Sequence, residues 1–158
     1  MGGLLYLNWY PVWTGPRGHH VHPGMVAEWE AARGCPASGY RNDGTFFPDW
    51  GHLLTRGPGD LGAVLANTSL GRCPGLVEHI ADYALQQGDL NRATYTQVMG
   101  MVQTELLAMQ LLVATNLPTD EGVVLTDEME ARLRTAVPQE SHFALGEIVL
   151  VLQKTAAV

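Results

Sequence analysis

The chain has 158 residues, 46% of them hydrophobic and 16% charged, with a formal net charge of −7. That length suits one domain with a core large enough to need no metal or disulfide staple. The charged share lies below the ~25% usual for globular chains, which fits either apolar surface that calls for a protein partner or a Gly- and Ala-rich globular protein. The charge is uneven, −1 over residues 1–79 and −6 over residues 80–158, and nowhere do Lys and Arg cluster. Nucleic acid is therefore not an expected partner, because phosphate binding needs grouped basic side chains.

Residues 1–22 read as an aromatic and histidine-bearing arm. Its start has no positive charge and no long apolar run, so no secretory signal is expected and an intracellular location is favoured. Within Leu4–Trp13, the side chains of Tyr6, Trp9, Tyr10 and Trp13 are the kind that anchor interfaces. Each covers much area with few rotors and keeps a polar handle, so the arm either folds over the domain's own bundle or docks on a neighbour. His19, His20 and His22 follow in a loop framed by Gly and Pro. Imidazoles so spaced can converge on a transition metal, zinc among them, or can simply decorate a solvated loop.

Residues 23–59 carry so many Gly and Pro that only one short helix is expected, Met25–Ala32, stopped by Gly34. Cys35 and Cys73 lack CxxC spacing. One bridge between them is compatible with the sequence, and two reduced, buried thiols are favoured. The segment Asn42–His52 sets Asp49 and His52 three apart behind Phe46-Phe47-Pro48, where a rigid apolar support can aim a carboxylate at a metal or a proton, or where Phe46, Phe47 and Trp50 simply plug the core while Asp49 caps the next segment, the reading favoured.

Residues 60–158 read as a helical bundle. Asp60 caps a helix through Asn67, Pro74 opens another that stops at Gly88, and Asn91 caps a long apolar helix from Arg92 to about Thr115. Its stretch Leu106–Thr119 is too short to cross a membrane. Thr126 caps a fourth helix, ended by Pro138, which is expected to start a fifth running through His142 to Gln153. For Ile148–Leu152 periodicity does not separate helix from strand, and helix is favoured because no second strong strand stands out to pair with it. The fold expected is mainly α: a single domain, 1–158, of about four to five helices behind an irregular N-terminal half.

The run Thr45-Phe46-Phe47-Pro48-Asp49-Trp50-Gly51 resembles the zinc-dependent phospholipase C family, which includes glycosylphosphatidylinositol-specific phospholipase D. The resemblance implies a mainly helical domain in which Asp49 binds zinc. The family's helix-borne His-x-x-x-Asp pair is missing, however: His79 is followed by Asp82 at the third position and Tyr83 at the fourth. The long helix contributes no His, and His142 and Glu147 are five apart, off a shared helical face. Such a chain reads as a relative that has lost most of its metal site.

Other chemistry is sparse. There is no Gly-x-Ser-x-Gly, no local Cys/His signature and no phosphate-binding Gly loop. Glu105 stands in the most apolar helix, and Met99, Met101 and Met109 suit adaptable packing. The expectation is a non-catalytic helical subunit of a larger protein assembly. The alternative is a zinc-dependent hydrolase drawing ligands from His19, His20, His22, Asp49, His52, His79 and Asp82.

Overall fold

Alternation of side chains along the chain's two ends, rather than helical periodicity, sets the architecture. A computed structural model describes residues 3–9, 13–86, 92–105, 109–118 and 123–154, with backbone alone at 105 and 113–118. Among the described residues the elements run β1 (Leu4–Trp9), α1 (Pro23–Arg33), α2 (Gly51–Leu54), α3 (Pro58–Ala66), a 3-10 turn (Ser69–Arg72), α4 (Pro74–Gln86), α5 (Tyr95–Glu105), β2 (Met109–Pro118), α6 (Asp127–Ala136) and β3 (Leu145–Lys154). They form two compact units, one from residues 1–18 with 92–158 and one from residues 19–91.

The first unit is built on a three-stranded antiparallel sheet of order β1-β3-β2. Its central strand is the segment favoured as a helix from sequence. Ile148, Leu150 and Leu152 are buried while their neighbours are half-covered, which is the two-residue period of a strand with one face on a core. The partner strands escaped the sequence reading. One lies in the aromatic arm, pairing Leu4 with Gln153 through Trp9 with Ile148. The other replaces the second half of the expected long helix, pairing Met109 with Lys154 and Thr115 with Val149.

The mainly α expectation is thus overturned: the fold is mixed α/β. The physical reason is that Leu111–Val113 and Ile148–Leu152 are apolar on every side, so local pattern is mute and the distant pairing decides.

α5 covers the sheet's inner face, with Val98, Met99 and Val102 against Leu5, Leu7, Trp9, Met109, Ile148, Leu150 and Leu152. It begins at Tyr95, not at Arg92. The Thr94 hydroxyl accepts the Gln97 N–H at 3.2 Å while the Gln97 side chain accepts the Thr94 N–H at 2.9 Å, a reciprocal cap that satisfies two orphan donors. Asn91 and Gly88, expected as cap and stop, lie outside the described residues. α6 starts as expected, the Thr126 hydroxyl accepting from the Met129 N–H, and Val137 closes it before Pro138.

The second unit is helical. α1 ends at Gly34, whose φ of 63° is the left-handed cap a side-chain-free residue adopts at little cost. α3 starts three residues earlier than expected, capped by Gly57 with Asp60 in its first turn. Leu76, Ile80 and Ala84 of α4 pack with Val26, Leu61, Leu65 and Leu70 in one core. Cys35 and Cys73 are joined in a disulfide with Cα atoms 5.9 Å apart, correcting the expectation of two thiols. The bridge ties the segment just after α1 to the residue before α4.

Candidate functional site

The residues proposed as metal ligands fall at several places in the second unit. His19 is fully buried and stacks on Phe47 with ring centroids 3.7 Å apart; its Nδ1 accepts the Val21 N–H at 3.0 Å. His52, also buried in α2, meets the His19 ring edge-on at 5.8 Å. His22 caps α1, its Nδ1 accepting the Gly24 N–H. His20 has a φ of 59°, and burial holds its pKa below the ordinary value.

Asp49 folds its carboxylate against Gly44, where a Cβ would stand 3.1 Å from Oδ2 and where φ is +81°. Next to it Trp50 is buried with a φ of 57°, a costly backbone for a bulky residue that packing must hold in place. Phe47 and Trp50 are both buried, and Phe47 stacks on the His19 ring.

His79 lies elsewhere, edge-on to Trp29 at 4.6 Å. Burial and then the Arg33 charge lower its pKa, while Asp82 acts in the opposite sense. Asp82 itself lines a cleft of about 510 Å³ between α3 and α4, floored by Gly62, Ala63 and Ala66. Among the described residues no three His, Cys, Asp or Glu side chains stand close enough to hold a metal ion.

A polar node that sequence reasoning missed sits in the first unit. Glu140 is buried, and its carboxylate accepts N–H bonds from Thr96 (2.9 Å), Ser141 (2.7 Å) and His142 (2.8 Å). Burial raises its pKa, but these donors, joined by the Thr94 hydroxyl, outweigh burial and leave the carboxyl more acidic than usual. Ser141, His142 and Glu140 also imitate a nucleophilic triad. Both Ser141 Oγ (3.0 Å) and Glu140 Oε1 (3.3 Å) approach the same ring atom, Nδ1 of His142. A relay needs the two partners on opposite nitrogens, so this trio does not activate the serine. Glu140 serves instead to pin the loop before β3 to the first turn of α5.

In the three-stranded sheet β1 is an edge strand. Lys154 donates its N–H to the Gly3 carbonyl at 2.9 Å, which makes that pair a hydrogen-bonded rung of the β1–β3 ladder. Because rungs alternate, the N–H and C=O groups of Leu4, Tyr6 and Asn8 point away from β3. The side chains of Leu4 and Tyr6 are 68% and 61% exposed. No residue of Leu4–Trp9 is charged or proline, and the β1–β3 register runs without a bulge. The opposite edge differs: β2 is interrupted between Leu111 and Val113 and ends at Pro118.

Beside β1 lies an apolar cavity of about 410 Å³, walled by Leu7, Trp9, Val98, Met101, Val102 and Leu150. Of the arm residues expected at an interface, Tyr6 is thus on the surface and Trp9 half-buried in this wall. Trp13 is buried with the Arg92 guanidinium 5.6 Å from its ring, and Tyr10 lies outside the described residues.

No family model, curated protein or solved structure matches this chain.

Proposed function

We propose that the chain is a non-catalytic subunit that docks another protein surface through the sheet of its first unit. The observation that carries this reading is the edge strand Leu4–Trp9. It offers outward-facing backbone groups and exposed Leu4 and Tyr6, with neither charge, proline nor bulge to repel a second strand. Sheet edges left in that state pair with other chains, and folded proteins that must stay alone usually blunt them. β2 has such devices and β1 has none. Strand addition at an open edge is also a common way for one protein to hold another.

The hydrolase alternative finds no comparable support among the described residues, where candidate ligands are dispersed and the triad-like trio is misconnected.

The test is site-specific photo-crosslinking in cells that make the protein. A photoreactive side chain replaces Tyr6, and a control replaces Glu128, exposed in α6. Discrete protein adducts at position 6 that are missing at position 128 are expected. Equal adducts at both positions, or none at position 6, would overturn the reading.

A further inference from the structure

Resting on that reading, we propose that the partner at β1 is a second copy of this chain, paired β1 to β1 in antiparallel fashion about a two-fold axis at Tyr6. The strand is complementary to itself. In the register that sets Leu4 opposite Asn8 of the second copy and Tyr6 opposite Tyr6, every outward N–H meets an outward C=O. That register makes about six new hydrogen bonds, two at each of three rungs. It also puts two aromatic side chains directly across from each other on the outer face, a favourable cross-strand pair.

No charge within the paired strands opposes the junction. The strand is neutral, and the nearest acid on the outer face, Glu147, is already engaged as acceptor of the Asn8 side-chain N–H at 2.8 Å. On the inner face the same register sets Leu5 opposite Leu7 of the other copy. Apolar side chains of each copy then lie beside the cavity walled by Leu7, Trp9, Val98, Met101 and Val102. A small apolar molecule would fill that cavity and leave the outward backbone groups bare; an added strand serves both. The two sheets become one of six strands, a common size.

Two short strands make a small contact next to the ~800 Å² per partner of a standard interface. The dimer is therefore reversible. It also strengthens with salt, because two bodies of net charge −7 repel each other until screened.

Sedimentation velocity of the full chain between about 1 and 100 µM tests the proposal on the scale where such affinities lie. The wild type is expected to pass from monomer to dimer mass across that range. Tyr6→Lys and Tyr6→Glu each stay monomeric, and an equimolar mixture of the two restores the dimer, since position 6 faces itself. Tyr6→Pro removes one outward N–H and no bond to β3, so it too remains folded by circular dichroism yet monomeric.

A wild type that stays monomeric throughout overturns the proposal, and so does a dimer that survives both charged substitutions or is not restored on mixing. The docking reading is judged apart from this. A monomer that still gives adducts at position 6 keeps it with a foreign partner. A monomer without adducts loses both. A monomer whose cavity binds a fluorescent apolar dye, released by Val98→Trp, identifies a small-molecule pocket instead and also overturns the dimer.

Discussion

Glu140 keeps its charge inside the first unit because three backbone N–H groups and two hydroxyls converge on one carboxylate. A buried carboxylate without such donors would be forced neutral. With them, its ionised form belongs to the folded state, and the sign of the pH effect follows. A folded-state pKa below the unfolded one gives stability that is complete above the unfolded value, near 4.3, and is lost as pH falls through the folded value. Urea melts of the first unit should therefore weaken below about pH 4. Glu140→Gln keeps the size but turns an amide N–H toward the donors. It should cost about 2–3 kcal/mol at pH 7 and flatten the acid limb. An acid limb unchanged in Glu140→Gln would show that some other group carries it.

The elements divide by how local their causes are. α1, α4 and α6 were legible in the sequence because their ends are written in single residues: Gly34 past one helix, Pro74 opening the next, Thr126 capping the last. The strands were not, because what makes Leu145–Lys154 extended is Leu4–Trp9, more than a hundred residues away. The candidate site was half legible for the same reason. Tyr6 and Trp9 stood out as large aromatic residues of the arm, but their place on an edge strand depends on the ladder. Nothing nearby announced that His19 would be a core ring on Phe47, nor that Gln-Glu-Ser-His would bury its Glu. The disulfide is likewise a long-range fact. Spanning 38 residues, it should stabilise the second unit by about 4 kcal/mol through the unfolded chain's lost freedom. Reduction, or Cys35→Ser with Cys73→Ser, should lower that unit's melting temperature by many degrees while leaving the 6-position crosslinks in place. A shift of under a degree would mean the bridge merely joins segments that packing already fixes.

At the scale of the whole molecule, the connectivity of the two units differs in kind. The second is one continuous stretch, residues 19–91, and holds its own core and its own covalent tie. The first is assembled from both chain ends, because β3 takes β1 from the start of the chain and β2 from its latter half. A stretch as short as residues 19–91 buries only about 60% of its unfolded surface, so the bridge matters there. The fragment 19–91, oxidised, should give a helical circular dichroism spectrum and a single cooperative melt. Its midpoint should fall under reductant just as the matching transition of the full chain does. Deleting residues 1–18 from the full chain should spare that transition and abolish the one sensitive to Glu140→Gln, because β3 then loses a whole rung set and bares Ile148, Leu150 and Leu152. A fragment that stays unfolded when oxidised would mean that the second unit's stability is borrowed from the rest of the chain.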